Sequence, residues 1–432
     1  MSNVSRRRFL ITATGSAAGA LWLAACGGNR STTSSSSTAK GADAPEVNGV
    51  TLGFIALTDS APLIIAKEKG FFAKHGMPEV KVVKQTSWAV TRDNLELGGA
   101  RGGIDGAHIL SPMPLLLAAG KITKSKQPLP MYTLARLNTQ GQAISASKDL
   151  LDEKLTIDNR EGLVKGSKSL GRKIKAAVTF PGGTHDLWMR YWLSANGVDP
   201  NKDADLVVIP PPQMVANMQT GTMDLFCVGE PWNQRLVNKK LGYTVAQTGE
   251  LWNKHPEKSF SMRADWVDKN PKAAKALLMA VQEAQIWCQD PANLDAMCEI
   301  IAKDKYIKAN VADIKPRLAG EVNYGDGREV KNSPHRMLFW DSNASFPFKS
   351  HDAWFVTEDM RWGYLPADTD IDALVNKVNR ADLWKEAAAA IGRSKDIPAS
   401  DSRGKETFFD GTVFDPADPK AYLDSLKIKA MA

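Results

Sequence analysis

From residue 48 onward, short apolar runs alternate with stretches in which apolar residues recur every three or four positions. The run TLGFIA at 51–56 predicts a strand, and 61–69 predicts a helix ended by Gly70-Phe71-Phe72. Residues 80–84 predict a second strand before a helix at 90–97, and 103–108 with 113–118 repeat the pair. This β-α-β-α alternation predicts an α/β domain on a largely parallel sheet.

The same grammar restarts further along. AAVTF at 176–180 predicts a strand, and Pro181-Gly182-Gly183-Thr184-His185 opens a helix running through Trp192. A strand at 206–209, a helix at 213–220 and a strand at 224–228 follow. Two α/β units in one chain predict two lobes with a ligand cleft between them. The chain passes between lobes near 138–146 and again near 245–262. Beyond about residue 260 the pattern is mainly helical, at 271–289, 294–303 and 370–378. The end of the chain, with Phe408-Phe409-Asp410-Gly411 and Phe414-Asp415-Pro416, reads as an ordered but irregular tail.

The first fifty residues have a different character. Arg6-Arg7-Arg8-Phe9-Leu10 precedes an apolar, Ala/Gly-rich run to Leu23, the layout of an export signal. Its paired arginines resemble the twin-arginine type. Leu23-Ala24-Ala25-Cys26-Gly27 resembles a bacterial lipobox, which makes Cys26 an acylated first residue and a lipid anchor. The Ser/Thr run at 31–38 then reads as a flexible tether. The expected layout is a signal at 1–25 and a tether at 26–46. The first lobe takes 47–140 plus 250–432 with the C-terminal extension, and the second takes 141–249. The expected location is the outer, periplasmic side of the cytoplasmic membrane.

Composition narrows the function classes. Hydrophobic residues are 43% and charged residues 24%, an ordinary globular balance. Beyond the first 25 residues no stretch is apolar for 18 positions, which excludes a permease. The formal charge of +7 falls to about +4 without Arg6, Arg7 and Arg8, too mixed for a nucleic-acid binder. Of the remaining cysteines, Cys227 lies in an apolar strand-like run and reads as a buried thiol. Cys288 and Cys298 flank a turn and are candidates for a disulfide. The six histidines are scattered, and no Cys/His spacing points to a metal or another cofactor.

Common enzyme signatures are absent, and four clusters remain as candidate chemistry. Thr86-Ser87-Trp88 follows a strand, where a parallel sheet presents its ligand-facing ends. Pro181–His185 occupies the matching turn of the second unit, where a helix start attracts anions. Val228-Gly229-Glu230-Pro231-Trp232 lies at another strand end, and His255-Pro256-Glu257-Lys258-Ser259 precedes a strand-like run. Read alone, Trp88 is equally a packing residue, His185 a helix-start residue and Lys258 a solvated lysine. A hydrolase using His185 and Asp186 lacks a nucleophile, and neighbours on one helix point in different directions.

Together with 138–144 and the stretch SWAVTRDNL at 87–95, these clusters resemble the nitrate-binding lipoproteins of nitrate ABC transporters and their bicarbonate-binding sisters. The resemblance runs through the mature chain into the tail at 408–422. It implies an α/β, two-lobed type II periplasmic binding protein, a C-clamp, with a helical and irregular C-terminal extension. It also implies a monomeric binding protein rather than an enzyme, serving a membrane permease with cytoplasmic ATPases. Carried over residue by residue, the ligand contacts fall on Trp88, Gln142, His185, Val228, Gly229 and Lys258, with Gln140 as the alternative to Gln142.

Lys258 is where the two sister ligands separate. The resemblance implies an acid at this position, with calcium, in the bicarbonate binders. A lysine here sets +1 against a monoanion and needs no metal. Nitrate has three acceptor oxygens and no donor, so a shell of donors suits it, whereas bicarbonate carries an O–H that wants an acceptor. Nitrate is therefore expected, with nitrite as a second ligand. The caution is Glu257, which a shift of one residue would bring into the slot. A sulfonate or taurine binder shares the fold and the Gly70-Phe71-Phe72 pattern, but Trp88 argues for a smaller cleft.

Overall fold

The computed structural model describes residues 44–430. The expected export signal, Cys26 and the Ser/Thr segment lie outside the described residues.

Two five-stranded sheets organise the chain. In the first, β1 (Thr51–Phe54), β2 (Lys81–Lys84) and β3 (Gly106–Leu110) run parallel in the order β2-β1-β3. Each is followed by a helix, as the apolar periodicity predicts, including Trp88–Leu97 and Met113–Ala118. The chain then forms β4 (Met131–Thr139), turns through Gln140 and Gly141, and enters the second sheet as β5 (Gln142–Ser147). Gln140 and Gly141 both have left-handed backbones, with φ of 59° and 87°. Glycine adopts such a backbone without strain.

The second sheet repeats the first. β6 (Ile174–Val178), β7 (Ala204–Val208) and β8 (Leu225–Gly229) are parallel in the order β7-β6-β8. β5 and β9 (Gly242–Gln247) complete it antiparallel, with β5 between β8 and β9. The chain returns through the short helix Thr248–Leu251 and re-enters the first sheet as β10 (Pro256–Arg263), antiparallel between β3 and β4. Both sheets are therefore mixed, which corrects the largely parallel expectation. The antiparallel strands are those where the chain changes sheet. Buried polar residues there, among them Arg136, Asn138 and Gln142, blur the apolar pattern.

Helices Pro271–Gln289 and Leu294–Ala302 match the predicted spans closely. Cys288 and Cys298 are buried free thiols, so the disulfide candidate is corrected. The short connection Pro291–Asn293 is closed by the Asp290 side chain accepting from the Ala292 amide at 2.9 Å. Among the described residues, no helix is long and apolar enough to cross a membrane.

The C-terminal extension is bound into the body by aromatic packing. Trp354, on the helix Lys349–Arg361, stacks on Trp188 at 4.8 Å and on Phe408 at 5.5 Å. Trp252, beside the second crossing, packs on the same cluster at 5.1 Å from Trp354. Its indole N–H donates to Glu406 at 2.8 Å. Trp188 lies one turn beyond His185 on the helix Thr184–Ala195, so the extension braces the helix that carries a candidate ligand contact. Trp354→Ala is expected to cost about 3–5 kcal/mol of stability, the usual loss for a buried tryptophan. Urea denaturation followed by circular dichroism checks it.

Candidate functional site

Lys258 is the centre of a buried cluster. Its Nζ lies 2.9 Å from Asp59 Oδ2 and also contacts Glu257, and all three side chains are fully enclosed. In a regular strand neighbouring residues point to opposite faces. β10 escapes this rule through a bulge: Pro256 pairs with Thr139 and Lys258 with Asn138, so Glu257 is passed over. An extra residue of this kind re-aims side chains. Glu257 and Lys258 therefore meet at the same site, and the sequence alternative between them becomes a pair.

The other groups come from strand ends and helix starts. Asp59 follows β1, and its Oδ1 lies 2.6 Å from His108 Nε2 on β3. Trp88 opens the helix capped by Ser87, whose hydroxyl accepts the Val90 amide at 3.2 Å. The Trp88 ring lies 5.4 Å from His108 and 5.8 Å from the Lys258 ammonium. From the second lobe, Gln142 donates to Glu257 and Thr184 approaches it at 3.4 Å. His185 Nδ1 pairs with Thr179 at 2.5 Å, while its Nε2 lies 3.2 Å from Glu257 Oε1 without the alignment of a hydrogen bond.

Of the residues read from the sequence, Trp88, Gln142, His185 and Lys258 are thus brought together. Gln140 is not among them: its amide instead holds the Arg336 carbonyl at 2.8 Å and the Lys254 amide at 3.1 Å. Gly229 ends β8 opposite Gln142, and a Cβ there would sit 3.1 Å from Asp59 Oδ2, so glycine permits the close approach. Val228 contributes backbone, its carbonyl taken by Asn233 at 2.8 Å. The sequence reading missed Asp59, His108 and Thr179, while Thr184 lay within its Pro181–His185 cluster. Asp59 had a usable signal, since it follows a strand end as Trp88 does.

The electrostatics depart from the simple +1 site. Burial alone would raise the Asp59 carboxyl, but Lys258 and His108 outweigh it and hold it down at about 2. Burial would also raise Glu257, and Lys258 with His185 brings it below its usual range. Burial acts to lower Lys258, and the two carboxylates more than reverse that. His185 is pushed down by burial and by the Lys258 charge, and His108 by burial. At neutral pH the cluster therefore holds two carboxylates, one ammonium and two neutral imidazoles, an excess of one negative charge.

Three buried polar atoms around this cluster lack hydrogen-bond partners: Trp88 Nε1, His185 Nε2 and Gln142 Oε1. Each unpaired buried group costs about 1–3 kcal/mol. All three belong to residues in or beside the Lys258 cluster. Among the described residues, no group of three or more His, Cys, Asp or Glu side chains is arranged to hold a metal ion.

Known proteins share this sequence and fold. A profile of the NMT1-like family matches residues 43–302. The nitrate/nitrite binding protein NrtA of Synechococcus elongatus is 72% identical over the full length of both chains. The bicarbonate-binding protein CmpA of the same organism is 44% identical, over 99% of this chain and 98% of that one. The crystal structure of the periplasmic nitrate-binding protein NrtA from Synechocystis superposes with a TM-score of 0.87 at 56% identity, covering 89% of this chain and all of that one. With a two-lobed body, a cluster enclosed between the lobes and relatives that match end to end, the chain belongs to the NMT1-like family and, within it, to the nitrate/nitrite- and bicarbonate-binding proteins.

Proposed function

We propose that this protein is the substrate-binding component of an ABC importer, which captures nitrate, and nitrite as a second ligand, between its lobes. It delivers the anion to an inner-membrane permease driven by cytoplasmic ATPases. Its role is binding rather than catalysis, and it works in the periplasm. The finer proposal is that Cys26 carries the lipid that holds it to the membrane. The observation that carries the ligand reading is the pair of unpartnered ring nitrogens, Trp88 Nε1 and His185 Nε2, on two residues that adjoin Lys258 and its partner Glu257. An anion with three acceptor oxygens satisfies both and lies against the ammonium. The 72% identity to a nitrate/nitrite binding protein, against 44% to a bicarbonate binder, supports the same choice. One atom favours bicarbonate: Gln142 Oε1 is an unpartnered acceptor, and bicarbonate has an O–H to give it.

Calorimetric titration with nitrate, nitrite and bicarbonate, each with and without calcium, decides between the readings. Nitrate binding without calcium is expected, and binding of bicarbonate alone would overturn the proposal. Trp88→Phe keeps the ring and removes the donor. It should weaken nitrate binding by about 10–100-fold, the worth of one hydrogen bond to a charged group, without unfolding the protein.

The charge excess sets a pH dependence. Adding a monoanion to a buried cluster already one negative charge in excess favours proton uptake, most directly at His185. Because this imidazole is held below its ordinary pKa, it is neutral before binding and gains a proton with the anion. Affinity should therefore rise as pH falls from 8 to 6, by at most about tenfold per pH unit for one proton. Titrations in buffers of different ionisation enthalpy measure the proton directly, and a pH-independent affinity would count against it. Cys26→Ala should release the protein to the soluble fraction, since two or more acyl chains are what a stable anchor requires. Cell fractionation checks that.

A further inference from the structure

A cavity of about 360 Å³ opens on the seam between the lobes, outside the enclosed cluster. Ala56, Lys84 and Lys308 contribute from the first lobe, and Trp232, Arg235 and Lys239 from the second. Ala56 lies three residues before Asp59, and Trp232 three residues after Gly229. The cavity is thus lined in part by the two strand-end segments that also lead into the inner cluster. They are tied together there, the Trp232 indole N–H donating to the Ala56 carbonyl at 3.1 Å.

The charge of this cavity is one-sided. Its lining sets Lys84 and Lys308 of one lobe opposite Arg235 and Lys239 of the other and includes no carboxylate. The nearest acids do not neutralise it closely. Lys84 donates to the backbone carbonyl of Asp304 at 2.8 Å rather than to its carboxylate. Lys308 and Arg235 reach the Asp304 and Asp313 carboxylates only at 3.8 and 3.9 Å. Partial burial and the neighbouring Lys308 charge both disfavour the ammonium of Lys84. Bringing the lobes together gathers like charges, and an anion between them relieves the repulsion. The interior has the opposite balance, with two carboxylates around one ammonium. At long range that interior does not attract an anion, whereas the cations of this cavity do.

We propose that this cavity is an outer anion site, where small inorganic monoanions collect between the cations of the two lobes before passing to the inner cluster. The proposal rests on the nitrate reading of the inner site and adds a capture step to it. A concave, basic surface over a low-dielectric body focuses the field and raises association rates by about 10–1,000-fold.

Lys239→Glu combined with Lys308→Glu tests the proposal, both side chains being exposed and neither belonging to the enclosed cluster. Nitrate is mixed with full-length protein in a stopped-flow instrument, and tryptophan fluorescence is followed at low and high ionic strength. The association rate at low salt should fall at least about 10-fold, with the dissociation rate unchanged. The decline of the wild-type rate with added salt should flatten in the variant, because screening removes the same attraction. Lys239→Arg with Lys308→Arg should keep the wild-type rate. An association rate within about twofold of wild type in the charge-reversed protein, or a loss confined to dissociation, overturns the outer site. Failure of nitrate to bind the wild-type protein at all would instead remove the inner-site reading and the outer site with it.

Discussion

The ion cluster of Lys258 with Asp59 and Glu257 is the constraint around which the site is arranged. An ammonium withdrawn completely from water is tolerated only when paired and hydrogen-bonded, and removing one partner of such a pair costs about 3–5 kcal/mol. Both carboxylates supply that pairing, and they reach Lys258 by different routes. Asp59 arrives from the loop after β1, 199 residues away in the chain, and Glu257 from the bulge in β10 itself. The bulge is therefore what pairs the two neighbours. Without it Glu257 would point away from Lys258, and Asp59 alone would face the ammonium.

The same cluster joins the lobes. Glu257 belongs to the first sheet, yet it is met by Gln142 from the second sheet and by Thr184 and His185 from the helix that follows β6. Backbone contacts reinforce the seam, with the Thr58 amide donating to the Glu230 carbonyl at 2.8 Å. Behind it, the aromatic cluster of Trp188, Trp252, Trp354 and Phe408 fixes the helix that presents His185. Glu230 belongs to a segment that the sequence offers as candidate chemistry, but its carboxylate serves packing instead. Arg317, from the helical region after the second crossing, holds it at 2.8 Å.

Inside and outside carry opposite charge balances, and each has a physical role. Carboxylates within the enclosed cluster keep Lys258 charged and its geometry fixed. Cations at the mouth lie partly in solvent, where pairing is weak but the field reaches outward. An anion binder arranged this way separates attraction from recognition. On the proposed reading, the outer charges would draw the anion in, and the unpartnered nitrogens of Trp88 and His185 would select its shape.

Much of this was legible along the chain. The apolar periodicity of 61–69 and 271–289 marked helices that formed nearly as read, and the restart of the β-α pattern near 176 marked the second sheet. The strand-end positions of Trp88, His185 and Gly229 pointed to a ligand site, because parallel strands present their ends together. The antiparallel strands β5 and β9 were not legible, since their burial follows from neighbouring strands rather than from a local pattern. Nor was the company Lys258 keeps. Pairing Lys258 with Asp59, and turning Glu257 to the same face through a bulge, are matters of register between distant segments. The sequence by itself determined that residues able to bind an anion sit at strand ends in two lobes. Only the tertiary structure decided that the lysine arrives already paired with two carboxylates, because the charge of a buried site is the sum over every chain segment that closes on it.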